Sequence, residues 1–148
     1  MNTIKFFVPG KPQGKARART FYNPRLGRSI SMTPDNTVLY ENLIKECCMN
    51  NMSDEQKKHD DQAALTLYIT ALYAPVKSTS KKQRERMLRD EILPTKKPDI
   101  DNIVKVVADA LNGVAYRDDT QIVKIIAEKH YSDIEGLEIR LEEYIARK

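Results

Sequence analysis

The residues best suited to chemistry lie in one segment of the last third of the chain. It contains Asp99, Asp101, Asp118 and Asp119, with Lys105 one helical turn beyond the first pair. Carboxylates gathered in one place repel each other unless a cation offsets their charge. Mg²⁺ binds proteins through a few carboxylates, keeps several waters and takes further ligands from phosphate oxygens. Two or three aspartates and a lysine are therefore the side chains that metal-assisted phosphodiester hydrolysis needs.

The first pair of acids falls where a helix begins. Pro98 disfavours helical geometry in the residue before it, so the chain reaches Asp99 extended, and Asp is a favoured N-cap residue. Side chains two apart diverge within a helix but can converge in the segment that enters it, so Asp99 and Asp101 can meet one ion. Acids at this position are also common as simple complements of the helix dipole. Considered without the rest of the chain, the two interpretations have equal weight.

An amphipathic helix is predicted to position these groups. Asp101, Lys105 and Asp109 form a polar stripe at four-residue spacing. Asp109 is about 12 Å along the axis from Asp101, which is too far for the two acids to bind the same ion. We therefore expect Asp109 to be a surface acid paired with Lys105. Asn112-Gly113 is expected to end the helix, because glycine is the usual residue past a C-terminus. Apolar residues with helical periodicity define the buried face: Ile100, Ile103, Val104, Val107, Leu111 and Val114.

The second acidic pair precedes a predicted strand, Gln121 to Tyr131. A carboxylate at the start of a strand can lie beside the N-terminus of the preceding helix if the connection folds back. We therefore expect Asp118 or Asp119 to approach the first pair.

These motifs resemble those of the RusA family of Holliday junction resolvases, small dimeric Mg²⁺-dependent endonucleases that prophages often encode. The resemblance is close over Pro98–Asn102, Lys105, Asp109–Gly113 and Asp118–Ile122. It extends more loosely to the N-terminal strand and basic loop, where Ala18 replaces a proline common in related sequences.

The resemblance implies an activity and a set of site residues. It assigns the metal ligands to Asp99, Asp101 and Asp119, with Asp118 as a further candidate, and the catalytic lysine to Lys105. The implied cofactor is Mg²⁺, with Mn²⁺ as an alternative. The implied reaction is hydrolysis of phosphodiester bonds in four-way DNA junctions, in recombination and repair. Symmetric cutting requires two active sites, so a C₂ homodimer is expected.

The distribution of charge favours DNA as the partner. Residues 1–34 contain seven basic residues and no acid, whereas the rest of the chain has 18 basic and 21 acidic residues. Residues 77–97 are a second basic stretch, with eight positive and three negative charges. Polyanionic DNA fits two such segments. Phe21 and Tyr22 could stack on exposed bases or attach the loop to the core. The candidate DNA contacts are Lys15, Arg17, Arg19, Lys96 and Lys97.

The remaining pattern predicts a single α+β domain over residues 1–148. We expect a two-layer structure, with a mixed or mostly antiparallel sheet and helices on one face. The last two strands are expected to form a hairpin. The first helix should bury Val38, Leu39, Leu43, Ile44 and Cys47. The predicted order β-α-β-α-α-β-β comprises residues 3–8, a long loop to 32, and residues 35–49, 63–73, 80–89, 100–111, 121–131 and 137–142.

Other classes of protein fit less well. No apolar run approaches 18 residues and no signal-peptide pattern is present, so we expect a cytoplasmic protein without membrane contact. Cys47 and Cys48 are expected to be reduced thiols. Two alternatives stay open: a non-catalytic DNA-binding module, and a metal-dependent nuclease of another class. A restriction-enzyme core would require an Asp/Glu-x-Lys triplet shortly after the first acid, and none follows Asp99.

Overall fold

Three α-helices and two sheets make up the described part of the computed structural model, residues 2–16, 18–32, 34–52 and 58–146. The predicted α+β class is confirmed. The elements are β1 (Ile4–Pro9), β2 (Arg19–Asn23), β3 (Arg28–Met32), α1 (Asp35–Asn50), β4 (Leu65–Tyr73), α2 (Lys81–Leu88), α3 (Ile100–Ala110), a 3₁₀ turn (Asp119–Gln121), β5 (Ile122–Tyr131) and β6 (Gly136–Glu143).

The main sheet has the strand order β1-β6-β4-β5. Strand β6 is antiparallel to both of its neighbours, and β4 and β5 are parallel. The predicted hairpin of the last two strands is therefore wrong. Strand β6 lies between β1 and β4, and its apolar residues Leu137, Ile139 and Leu141 are fully buried. Strand β5 takes the edge instead, where Val123 and Ile125 stay largely exposed.

Helices α1 and α3 cover one face of this sheet. Alternate residues of β1, β4 and β6 point towards the helices and join them in one core, while Lys5, Glu138 and Arg140 point away and are exposed. The predicted arrangement of helices on one face is confirmed. No helix in the described part of the chain is long and apolar enough to cross a membrane.

The buried face of α1 differs from the predicted one. Tyr40, Ile44 and Cys48 follow each other at four-residue spacing and pack into the core. Val38 and Leu39 lie outside this stripe and are 43% and 69% exposed. The prediction was wrong for these two residues because the apolar side chains of α1 are not confined to one stripe. Leu43 and Cys47 are partly buried beside the core, as expected.

Helix α3 agrees closely with its predicted pattern. Ile103, Val107 and Leu111 are buried, although Ile100 at the first turn is 40% exposed. The helix ends at Ala110, and Gly113 takes the left-handed φ of +76° that glycine tolerates best.

The loop predicted through residue 32 contains a hairpin that the sequence pattern did not reveal. Strands β2 and β3 pair antiparallel and form a separate two-stranded sheet. The amides of Leu26 and Gly27 both donate to the carbonyl of Asn23, which closes the turn. Pro34 occupies the N-cap position of α1, and the preceding Thr33 lies outside the described residues.

Candidate active site

The N-terminus of α3 presents two carboxylates with no partner among the described residues. Asp99 is the N-cap, with the extended backbone predicted for it (φ −65°, ψ 149°), yet its side chain makes no capping hydrogen bond. Asp101 lies in the first turn, and both residues are exposed. The preceding Lys97–Pro98 peptide bond is cis. Both carboxylates are therefore available to a ligand.

A surface cleft, here called the α3 cleft, joins these acids to the N-terminal basic loop. On the side of α3 it is lined by Asp99, Asp101, Asn102, Lys105 and Asp109. The opposite side is formed by Lys15, Ala16 and Ala18. Lys105 is exposed one turn beyond Asp101, with no ion pair to any described residue. The predicted catalytic lysine and the first pair of acids thus lie along one cleft.

Asp109 pairs with Lys15 rather than with Lys105, contrary to the expectation from its spacing. The Lys15 Nζ lies 2.8 Å from Glu41 Oε1 and 3.2 Å from Asp109 Oδ2, because the basic loop crosses between α1 and α3. Partial burial alone would lower the pKa of Lys15, but its hydrogen bonds to Glu41 and Asp109 outweigh burial and raise that pKa above its usual value. Lys15 is therefore a fixed cation that compensates these two acids.

Gly14 allows the basic loop to lie against α3. A Cβ at this position would lie 2.8 Å from the Asn102 Cβ, which is closer than real Cβ contacts, and 3.0 Å from the Pro98 Cβ, which is tighter than most of them. The amide of Lys15 donates to the carbonyl of Asn102 at 2.9 Å. The loop is therefore attached to the helix turn that carries Asp99 and Asp101, and nothing in the sequence singled out Gly14 for this role.

Asp118 caps the 3₁₀ turn before β5. Its Oδ2 accepts hydrogen bonds from the Thr120 hydroxyl at 2.6 Å and the Thr120 amide at 3.4 Å, and the Gln121 side chain accepts from the Asp118 amide. The hydrogen bond from Thr120 lowers the pKa of Asp118 below its usual value. This carboxylate thus has a structural role in the turn.

Asp119 lies near the opposite end of α3 from the first acidic pair. Its amide donates to Asn112 Oδ1 at 2.8 Å, just past the C-terminus of the helix. Burial raises the pKa of Asp119, with further contributions from Asp118 and Asp109. The described residues include no group of three His, Cys, Asp or Glu side chains placed to hold a metal. Within one chain, the expected approach of Asp119 to Asp99 and Asp101 does not occur.

The separation is too large for one ion to span. A helix of eleven residues is about 16 Å long. Mg²⁺ contacts its ligands at about 2.1 Å, so two oxygens on the same ion lie within about 4 Å of each other. Asp99 and Asp101 are therefore the two predicted ligands that lie together at this end of α3, and the Asp119 backbone lies beside the other end.

Lys129 on β5 is a site residue that the sequence analysis missed. Its Nζ donates to the carbonyls of Lys96 at 2.5 Å and Pro98 at 3.0 Å, directly before Asp99. The same Nζ lies 5.5 Å from the centre of the Tyr73 ring. Lys129 occupies an inward-facing position of β5. A charged residue at such a position needs a partner, and this is the pattern in the sequence that could have indicated its role. It connects the sheet to the segment that presents Asp99.

The predicted DNA contacts occupy different environments. The ammonium of Lys96 lies 5.5 Å from the Tyr73 ring centre and 5.8 Å from that of Tyr131, and Lys97 is exposed. Arg17 lies outside the described residues, and Arg19 is described only through its backbone in β2.

Exposed carboxylates are groups that can bind a cation, and an unpaired lysine beside a basic loop is a group that can bind phosphate. The comparison with known families gives the same class of chemistry. The family described as Endodeoxyribonuclease RusA matches residues 9–142, and the chain belongs to this family. It is also similar to "Uncharacterized protein YqaN" of Bacillus subtilis (strain 168), with 30% identity over 152 aligned residues that cover 99% of this chain and 100% of the relative.

Proposed function

We propose that the protein is a Mg²⁺-dependent endonuclease that cleaves four-way DNA junctions. The observation that carries this proposal is the pair of unpartnered carboxylates, Asp99 and Asp101, beside Lys105 in a cleft bordered by a basic loop. Mg²⁺ in phosphate-processing sites is commonly held by one or two carboxylates, with waters and substrate phosphates completing its shell. The donor set therefore fits the ion, and Mn²⁺ would use the same ligands. When bound, the ion would activate water and stabilise charge on the scissile phosphate.

The residues of the chain have separate tasks in this proposal. Asp99 and Asp101 hold the ion at the N-terminus of α3. Lys105 donates to the scissile phosphate or to the attacking water, where a fixed cation stabilises the charge that develops. Lys15 neutralises Glu41 and Asp109, which reduces the repulsion that the cleft would exert on DNA. Lys96, Lys97, Arg17 and Arg19 are the proposed contacts to the DNA backbone.

Asp119 has a task in this scheme if the protein is a homodimer. We propose that Asp119 of each chain completes the site formed by Asp99 and Asp101 of its partner. A C₂ axis makes such a contact reciprocal, so both sites are completed together. The edge strand β5 follows Asp119 directly and exposes Val123 and Ile125, which offer a partner an apolar surface.

Cleavage of a synthetic four-way junction tests the activity. We expect cleavage with Mg²⁺ and little cleavage of linear duplex or flap DNA. Asp101→Asn should abolish cleavage while preserving or slightly strengthening binding, because it removes a negative charge near phosphate. Glu46→Gln, an exposed acid on α1, is the matched control and should retain activity. Junction binding by the wild-type protein without cleavage would favour the DNA-binding module, and equal cutting of linear duplex would favour another nuclease class.

Lys105 is tested in the same assay. Loss of a group that stabilises transition-state charge typically costs about 10²-fold in rate, whereas loss of a surface lysine has almost no effect. We expect Lys105→Ala to fold and bind junctions normally but to cleave at least about tenfold more slowly in single turnovers, which exclude product release from the measurement. Cleavage at the wild-type rate would show that Lys105 is an ordinary surface lysine without a part in the reaction.

Mixed dimers test whether each site is shared. A dimer of one Asp101→Asn chain and one Asp119→Asn chain would have one intact site if Asp119 acts across the interface, and should nick one strand of the junction. If each chain supplied its own Asp119, both sites would carry a lesion and the mixed dimer would be inactive. A dimer of one wild-type chain and one chain with both substitutions gives the opposite results. It would be inactive if Asp119 acts across the interface, and it would nick one strand if each chain supplied its own Asp119.

A further inference from the structure

The β2–β3 hairpin begins at the edge of the α3 cleft. Ala18 lines the cleft and directly precedes β2. Neither strand of the hairpin joins the main sheet. A two-stranded hairpin without further packing is marginally stable in water. The hairpin is therefore an appendage of the site, and no part of the main sheet pairs with it.

The two faces of the hairpin have different chemistry. Paired residues of antiparallel strands share a face, so Phe21 and Ile30 lie together on one face, with Met32 two residues further along β3. Phe21 is 47% exposed and Met32 is 53% exposed. The opposite face carries Tyr22 and a pair of hydroxyls, Thr20 and Ser31, in contact at 3.0 Å. One face thus combines exposed apolar side chains with Arg28, which pairs with Asn23 two residues beyond Phe21, and the other face carries Tyr22 and hydroxyl groups.

The charge of the hairpin indicates what can cover the face that carries Phe21. Residues 18–32 contain three arginines and no acid. A segment with this charge attracts a polyanion. Aromatic side chains beside basic residues stack on bases whose faces are exposed, as in single-stranded DNA. The bases of a continuous duplex are covered by their neighbours, whereas the bases at a branch point have a face without a stacked neighbour.

The distance between Phe21 and the α3 cleft also suits contact with a base near the phosphate in the cleft. Phe21 is three residues beyond Ala18, which corresponds to about 10 Å along an extended strand. Nucleotides in duplex DNA are spaced about 3.4 Å apart along each strand. Phe21 can therefore reach a base about three nucleotides from a phosphate in the α3 cleft.

We propose that the β2–β3 hairpin recognises the branch point of a DNA junction, with Phe21 stacking on a base exposed there while Arg25 and Arg28 contact the adjacent phosphates. This inference rests on the proposed junction cleavage and explains how the enzyme would distinguish a junction from linear DNA. Tyr22 on the opposite face is not part of the stacking surface.

Binding without cleavage tests the inference. Affinities are measured with EDTA for a four-way junction and for a linear duplex of matched sequence. Phe21→Ala should weaken junction binding about tenfold or more and leave duplex binding within about twofold, because loss of one base stack has an effect of this order. Tyr22→Ala is the matched control and should bind both DNAs like the wild type. Phe21→Trp should restore junction binding, which a misfolded hairpin could not do.

Other outcomes identify a different role. If the wild-type protein prefers junctions and Phe21→Ala keeps that preference, the hairpin proposal is wrong and the proposed function stands. If the wild-type protein shows no preference for junctions, both are wrong. If Phe21→Ala dissociates the dimer in sedimentation, the face that carries Phe21 is covered by a second copy of the chain and not by DNA.

Discussion

Lys129→Met should impair cleavage much more than it impairs folding. Lys129 donates to two carbonyls of the segment that ends at Asp99, those of Lys96 and Pro98. Methionine keeps an apolar stem of similar length beside Tyr73 but has no donor. The substitution therefore releases the segment that presents Asp99 without opening a large cavity.

The expected loss of stability is moderate. A hydrogen bond from a charged donor contributes about 1.5–3 kcal/mol net. Lys96 is exposed and Pro98 is half-buried, so water can replace part of what is lost, and we expect about 1–2 kcal/mol for both bonds together. For a chain of this size that lowers Tm by about 3–6 °C. A misplacement of about 1 Å at a reacting centre can slow a reaction about 10²-fold.

The assay compares single-turnover cleavage and thermal unfolding in the same buffer. Lys124→Met is the matched control, because Lys124 is exposed on the same strand and its side chain makes no hydrogen bond or ion pair with another described residue. Lys129→Arg should recover part of the rate, since it restores a cationic donor. A Lys129→Met enzyme that cleaves at the wild-type rate well below its Tm would show that contacts other than those of Lys129 hold the Asp99 segment in place.

Two further predictions concern the basic loop and a charged contact on β5. Gly14→Ala should weaken junction binding and destabilise the protein by about 1 kcal/mol, because its Cβ would collide with that of Asn102 and displace the loop; Gln13→Ala, measured alongside, should change neither property. His130 contacts Glu128 and Asp90 at 2.9 Å each, and these hydrogen bonds raise its pKa. The contacts of protonated His130 with these two carboxylates stabilise the folded protein by at most about 1 kcal/mol. This contribution is complete below the usual histidine pKa of about 6.5 and is lost as pH rises through the raised pKa of His130. The Tm difference between wild type and His130→Gln should accordingly shrink from pH 6 to pH 8.5, and a constant difference would contradict the assignment.

Features that depend on neighbouring residues could be predicted from the sequence. Helix α3 has an N-cap, a periodic apolar face and a terminating glycine within one segment, so its bounds and its two leading acids follow from local rules. The alternation of β6 was also predicted, but alternation does not identify the neighbours of a strand. The long connection through α2 and α3 allows β5 to lie parallel to β4, and β6 then takes the central position.

The hairpin and Lys129 were missed for a different reason. The strands β2 and β3 are largely polar and do not contribute to the core, so no hydrophobic pattern marks them. Lys129 occupies an inward position at the edge of the sheet, where its charge is satisfied by carbonyls from a segment more than thirty residues away. Patterns of local hydropathy do not contain such partners.

The position of Asp119 depends on how tightly the chain turns after α3. The connection from Leu111 to Asp118 is long enough to run back along the helix, which is why an approach to Asp99 was expected. Instead the amide of Gly113 donates to the carbonyl of Tyr116 at 2.8 Å, and Asn112 holds the amide of Asp119. These contacts close the connection into a compact turn at the C-terminus of the helix. Since these contacts hold Asp119 beside the C-terminus of α3, the mixed dimers described above measure whether a second copy brings Asp119 to Asp99 and Asp101.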